Sequence, residues 1–426
     1  MRSKKSPVGV TLVLAIFAAT LFVPGTRATA QEEKLLHSFN INGKDGVNPA
    51  SGVIFDAAGN LYGTTLSGGT HNEGMVFELS PLAGGGWQES VLHNFNGKDG
   101  FNPYGGLILD GAGNLYGTTA YGGSGHSGTV FELSPVAGGG WQHQILYSFQ
   151  GQKDGAVPYA SLVFDAAGNL YGTTRDGGGG ECTDGGYEVG CGTVFALTPA
   201  GGVAWTEKIL HEFHEDGTDG YIPSSNLIFD AAGNLYGTTS RGSAPDGPGT
   251  VFELSPAVDG SWTEKPLYTF GNSPDGNTPS SGVIFDALGN LYGMTIAGGS
   301  AGGGGTVYEL TPAAGGVWTE SILQSFSDGA GQGGFFPQGG VIFDDAGNLY
   351  GSTTDGGVYS FGTAFKLTPL GNGSWTKTIL HNFNYNPSGG DAGDPSGLVF
   401  DAAGNLYGTG FLGGAYRGGA VFEIKH

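Results

Sequence analysis

One pentapeptide, Gly-Asn-Leu-Tyr-Gly, occurs seven times in the chain, with its Asn at Asn60, Asn114, Asn169, Asn234, Asn290, Asn348 and Asn405. The intervals are 54, 55, 65, 56, 58 and 57 residues. So long and regular a period defines a repeat architecture, in which one supersecondary unit is copied and stacked. Each copy reads alike. An apolar run such as Val53-Ile54-Phe55 meets the turn Asp56 to Asn60, and Leu61 to Thr65 leads into a Gly-rich loop. Met75 to Leu79, a second Gly-rich turn and Trp87 to Phe95 complete the unit. Short apolar runs bounded by turn residues are strands, so each copy spells four of them. The first is apolar throughout, as expected of a strand buried on both faces. The Asp-Ala-Ala-Gly-Asn turn suits a tight hairpin.

Composition removes the alternatives. With 86 Gly among 426 residues, long helices are excluded by a cost of ~1 kcal/mol per interior Gly. Disorder is excluded by 26 Phe, 18 Tyr and 6 Trp, with charged residues at only 13%. Four antiparallel strands bury both faces only when copies pack side by side, and a closed ring of such sheets is a β-propeller. An open solenoid would want a capping unit at each end, and neither end reads as one. Instead, the last unit stops at His426 without a fourth strand, while Lys34 to Phe39 matches fourth strands such as Ile379 to Phe383. The expected fold is all-β: a seven-bladed propeller of four-stranded antiparallel blades, closed by the N-terminal strand completing the last blade.

Residues 1–30 read as a secretory signal peptide: Arg2, Lys4 and Lys5, then the apolar run Val8 to Val23, then Ala28-Thr29-Ala30. The run falls short of the ~20 residues of a membrane span, so no retained membrane segment is expected. Residues 31–426 are then a single propeller domain, secreted to the periplasm or the exterior after cleavage near Ala30. Cleavage leaves 12 basic against 38 acidic residues. That balance, with no basic cluster, excludes nucleic-acid binding, and the acidity favours solubility and a monomer.

The copies resemble the tandem Gloeo/Verruco (GloVer) repeat family of exported bacterial proteins. Gly113 to Thr119 with Gly128 to Leu133 carries its motif, Gly-Asn-Leu-Tyr-Gly-Thr-Thr followed by Gly-Thr-Val-Phe-Glu-Leu. The resemblance implies the fold and an exported protein, and no reaction. Members are described as choice-of-anchor proteins for their variable C-terminal sorting signals. Nothing here follows the last blade, so covalent anchoring is not expected.

Meander geometry sorts the loops. The uniform Asp-x-x-Gly-Asn turns and the Gly-rich turns before each Trp share one end; the blade connections and the loops between second and third strands share the other. Irregularity, and with it function, belongs at the second end. There lie Phe101, Tyr104, Tyr121, Tyr159, Tyr221, Phe335 and Phe336, the candidate ligand-binding residues, with Tyr187, Tyr359 and Tyr416 in the same loops. Aromatic faces beside polar groups suit sugar stacking; exposed loop Tyr is also ordinary. The six Trp share one slot and read as packing. The Asp-Gly-x-x-Pro connections (Asp45, Asp99, Asp154, Asp219 and Asp275) read as turns with Asp capping the backbone and Gly left-handed. His37, His93, His211 and His381 lie on separate blades, so no metal site and no cofactor are expected from them. Cys182 and Cys191, the only cysteines, sit in the longest loop and are expected to form a disulfide with a local effect.

No nucleophile elbow, phosphate loop or HExxH is present, and the repeated aspartates at Asp56 and its six equivalents read as turn residues rather than a catalytic pair. The leading expectation is a secreted, non-catalytic module binding a glycan or other cell-surface component through the irregular face. The alternatives are a propeller enzyme (carbohydrate lyase, hydrolase or lactonase) with its site at the channel mouth, and a structural envelope protein.

Overall fold

The computed structural model describes residues 33–184, 187–242, 247–271, 274–300, 302–327, 333–385 and 390–425. The leader read in residues 1–30 lies outside them. Seven antiparallel sheets form the seven blades of a β-propeller. Blade one contains Ile54–Phe55, Leu61–Thr65, Met75–Pro81 and Trp87–Asn94, in that order from the axis outward. Blades two to six repeat it. Blade seven is built from both ends of the chain: Glu33–Asn40 pairs antiparallel with Arg417–Ile424, with Leu35 opposite Phe422 and Ser38 opposite Ala420. The closure expected from the sequence is therefore present.

The repeated residues divide the work of holding neighbouring blades together. The carboxylate of each turn Asp accepts four hydrogen bonds; at Asp56 they come from the backbone N–H of Ala58 and Asn60, the Asn60 amide and the Tyr62 hydroxyl. The same four recur at Asp286 and Asp401. That Tyr is pinned by its hydroxyl, and its ring reaches the next blade. Tyr407 meets Phe55 edge-on at 5.0 Å and Trp87 at 6.4 Å, and Tyr171 meets Phe229 at 5.0 Å and Trp262 at 6.3 Å. The Trp slot is packing between blades. The Gly after the Tyr makes room for the third strand: a Cβ on Gly63 would stand 2.6 Å from the Phe77 ring.

Two expectations change. The first strand is buried only at its leading aliphatic residue; Val53 is enclosed, while Ile54 and Phe55 are half-buried and pack at the seams with the neighbouring blades. The Asp-Gly-x-x-Pro segment is not a simple turn. It forms the outer half of the innermost strand, as Gly46–Val47 pairing with Ser67–Gly68 shows. Asp caps the backbone as expected, accepting from Asn40 N–H at Asp45. The Gly after Asp takes positive φ only at Gly100 and Gly155, whereas the residue before Pro does so in every copy: Asn48, Asn102, Val157, Ile222, Thr278, Phe336 and Asp394 all have φ between +50° and +61°. For the β-branched Val157, Ile222 and Thr278 this is strained backbone. The reward is a latch across the blade boundary. Each of these residues donates its N–H to the preceding blade, Val157 to Ser127 O at 2.9 Å and Ile222 to Cys191 O at 2.9 Å. The following Pro closes on a Gly there, so that a Cβ on Gly128 would lie 2.6 Å from Pro158 Cδ.

Candidate functional site: the channel mouth

The uniform turns occupy one end of the ring, and the blade connections open the other. Around its axis the innermost strands come together through small residues. A Cβ on Gly52 would lie 2.7 Å from Gly397 O, and Ser161 N–H donates to the Asn226 side chain at 2.8 Å. Above this constriction the residue after each Pro is Ala50, Tyr104, Tyr159, Ser224, Ser280, Gln338 or Ser396, and all but Ser280 line the cavities of the mouth. Seven-fold regularity in the backbone thus carries an irregular set of side chains.

Four candidate aromatics come together. The Tyr104 and Tyr159 rings lie 4.3 Å apart, Tyr121 and Tyr159 hydroxyls meet at 3.5 Å, and Phe101 stacks on Tyr121 at 5.3 Å. All four are half-buried. Arg175 lies over the Tyr159 ring at 5.9 Å. Burial and the Tyr121 hydroxyl raise the Tyr159 pKa, so this phenol stays neutral across the physiological range.

The Tyr104–Tyr159 pair separates two cavities. One, of about 550 Å³, is lined by Tyr159, Arg175, Ser224, Ser240, Arg241 and Thr278 among others. The other, of about 380 Å³, is lined by Tyr104, Gln338, Asp355, Asp394 and Phe411 among others. The first is flanked by guanidinium groups and the second by carboxyl groups. Burial and the neighbouring Asp355 push the Asp394 carboxyl up to about 6, and burial raises Asp355. Sequence reasoning missed both aspartates because they lie 39 residues apart on neighbouring blades and only the packed ring brings them together; the departure from Asn48 and Asn102 at the residue before Pro was the available signal for Asp394.

The other candidates lie elsewhere. Tyr221 is a correction: it is 4% exposed and packs with Cys182, Cys191 and Phe213, so its ring is core and not a platform for a ligand. Phe335 and Phe336 touch each other edge-on at 4.9 Å on blade six; Phe335 leans on the core of that blade, apart from the Tyr cluster. Tyr359 and Tyr416 are exposed, and the Tyr187 side chain lies outside the described residues. Cys182 and Cys191 form the expected disulfide. Its effect is not confined to the loop, because both cysteines are fully buried in the cluster that joins blades three and four.

The four His do not meet one another. Each meets carboxylates at a seam between blades: His37 with Asp45 and Glu89, His211 with Asp219 and Glu264, His381 with Asp391 and Glu33. His93 meets Asp99 and stacks on His143 at 4.1 Å.

A seven-bladed ring with an asymmetric, aromatic mouth is the class that fold and site define. The chain belongs to the Gloeobacter/Verrucomicrobia repeat family, whose model matches residues 22–183 and 180–390. Among solved structures it is similar to a putative gluconolactonase, at 15% identity and a TM-score of 0.45, over 93% of this chain and 92% of that one. It is also similar to PorZ of Porphyromonas gingivalis, described as an essential bacterial surface component of the type-IX secretion system, at 16% identity and a TM-score of 0.52. That likeness covers 90% of this chain and 48% of PorZ, and it concerns the fold alone. Comparison with curated proteins returns no match.

Proposed function

We propose that the protein is an exported, non-catalytic propeller that binds a glycan or another surface component at the channel mouth. The observation that carries this reading is the Tyr104–Tyr159 pair standing between a polar cavity and a smaller one of mixed polar and apolar lining. Aromatic faces take the C–H faces of a sugar, while flanking hydroxyl, amide and charged groups take its hydroxyls. A pyranose chain laid across the pair would place successive units in the two cavities. Export is supported by the disulfide, which belongs to oxidising compartments, together with the leader read in residues 1–30. The test is a glycan-array screen of the mature protein, followed by titration of the best ligand. Replacing Tyr104 and Tyr159 by Ala should raise Kd at least tenfold, about 1.4 kcal/mol, with a stability cost of only ~1 kcal/mol for the lost ring pair. Unchanged affinity in that double variant would refute the mouth as the site.

A second reading, a carbohydrate lyase, hydrolase or lactonase, is favoured by one observation: Asp355 and Asp394 share the smaller cavity, with Asp394 pushed up to about 6. A carboxyl at that value is suited to general acid–base work near neutrality. Product release that disappears in Asp394→Asn, while ligand affinity persists, would establish this reading over the first.

A further inference from the structure

The seams between blades repeat a three-position set that no part of the channel mouth uses. The first position is on the fourth strand: His37, His93, Tyr147, His211, Tyr268, Gln324 or His381. The second is the residue that opens the innermost strand: Asp45, Asp99, Asp154, Asp219, Asp275, Gly333 or Asp391. The third lies two residues after the Trp slot of the next blade: Glu89, His143, Glu207, Glu264, Glu320, Lys377 or Glu33. Five of the seven seams therefore press two carboxyl groups together with no lysine or arginine at their three positions.

The exception is instructive. Where the Asp position is Gly333, the His position is Gln324 and the third is Lys377, whose ammonium donates to Gly333 O at 2.8 Å and lies 4.7 Å over the Phe326 ring. One seam thus carries its own cation in the Glu position. At the seam of blades three and four, the Asp219 side chain is 9% exposed and its Oδ1 has no partner, and Glu264 Oε1 is also buried without one. His211 Nε2 lies 2.9 Å from Asp219 Oδ2, and the three donor groups fall within 4.8 Å of one another. At the equivalent seam, His37 Nε2 and Glu89 Oε1 are likewise buried and unpartnered. There the imidazole nitrogen stands 3.5 Å from Asp45 and 3.8 Å from Glu89. These spacings are long for hydrogen bonds. The 3.5 Å spacing falls within the ~3.3–3.6 Å that separates neighbouring ligands at ~2.0–2.2 Å around a tetrahedral zinc ion, whereas the 2.9 Å between His211 and Asp219 is a hydrogen bond that would open slightly to admit an ion.

We propose that the His211–Asp219–Glu264 seam is a structural site for a divalent transition ion of the zinc class, with water as the fourth ligand, and that His37–Asp45–Glu89 and Glu33–His381–Asp391 repeat it. One imidazole and two carboxylates are a donor set such ions accept. The ion neutralises two carboxylates, takes up the orphaned oxygens and ties adjacent blades together. The seams with Tyr147 and Tyr268 lack the imidazole; there the phenol donates to Asp154 at 2.8 Å and to Asp275 at 3.0 Å, and they take no ion.

The test is calorimetric titration of the chelator-treated mature protein with zinc chloride, alongside the visible spectrum of the cobalt(II)-loaded form. Saturable micromolar binding, a tetrahedral cobalt spectrum and a zinc-dependent rise in thermal midpoint are expected. His211→Gln borrows the residue that folds in the same slot at Gln324, and should lose one equivalent of metal. Glu264→Lys, which copies the arrangement at Lys377, should also lose one equivalent while its own ammonium preserves the melting temperature of the metal-free protein. No saturable binding by the wild type overturns the proposal, as does an undiminished stoichiometry in a folded His211→Gln variant. Glycan affinity, read in parallel, separates a failure here from a failure of the mouth as a binding site.

Discussion

At the turn end of the ring, seven aspartates make one set of side-chain hydrogen bonds, blade after blade. At the mouth, the residue after Pro runs from Ala50 through Tyr104 to Gln338 on a backbone that is equally regular. The difference shows where each kind of information is kept. Side chains that bond within a blade, or reach its neighbour, are held constant because each blade must fit two others. Side chains above the constriction are not tied to one repeated partner (Tyr104 meets Tyr159, whereas Ser396 bonds Thr409) and are free to differ. A ring of this kind separates the task of closing from the task of recognising.

The sharpest way to break that separation is to open the ring. Removing residues 33–40 deletes the partner of Arg417–Ile424 and leaves an unpaired edge in the last blade. Destabilisation of more than about 4 kcal/mol is expected, with self-association visible in sedimentation. A monomeric truncation melting at the wild-type temperature would contradict the closure. A smaller loss, ~1–2 kcal/mol, should follow Asp286→Ala at the turn end in denaturant titrations. Ser280→Ala, after the Pro of the same blade, removes a buried hydroxyl without a partner and should cost less than ~0.5 kcal/mol. Equal costs would remove the distinction between the two ends.

The pH response sharpens the comparison. Burial and a neighbouring aspartate push Glu264 and Glu320 up to about 8, and Glu207 up to about 7. The native state therefore keeps protons that the unfolded chain releases near 4.5. Their contribution is full below 4.5 and is lost as pH rises through the folded values. The turn aspartates have the opposite sign: bonds to Asn60 and Tyr62 hold Asp56 below its ordinary 3.8, so its contribution is lost as pH falls. Metal-free protein should melt highest near pH ~5 and lose several degrees by pH ~8. A midpoint that climbs across that interval would show that the seams do not hold protons. The smallest effect concerns the strained latch. Asn48 and Asn102 tolerate left-handed backbone and donate their side-chain amides to Phe411 O and Leu66 O in the preceding blade. Thr278→Asn should copy this and stabilise by ~1 kcal/mol.

The architecture was legible because its signals are local and repeated: the Asn60 pentapeptide fixes the period, and Lys34 to Phe39 matches the missing strand of blade seven. The mouth was partly legible. Tyr104, Tyr121, Tyr159 and Phe101 stand in irregular loops and meet in space, whereas Tyr221 stands in an equally irregular loop and turns inward onto the disulfide. Loop position places a residue at one end of the ring without deciding whether its ring points to the mouth or the core. The seams were illegible as clusters, because His211 and Glu264 lie 53 residues apart on different blades, and only the packed ring brings them together. Even so, the simultaneous change to Gln324, Gly333 and Lys377 was visible in the repeats.

The pairing of Glu33 with Ile424 also has a consequence in time. Residue 33 is among the first of the described residues to be synthesised, yet its partner is among the last. Every inner blade can assemble from neighbouring sequence, whereas the final one requires closing a loop that spans nearly the whole chain, a contact of the highest order that slows folding. Until then both ends carry open strand edges. The nascent propeller is consequently most exposed to mispairing with other chains at the moment the ring is almost closed.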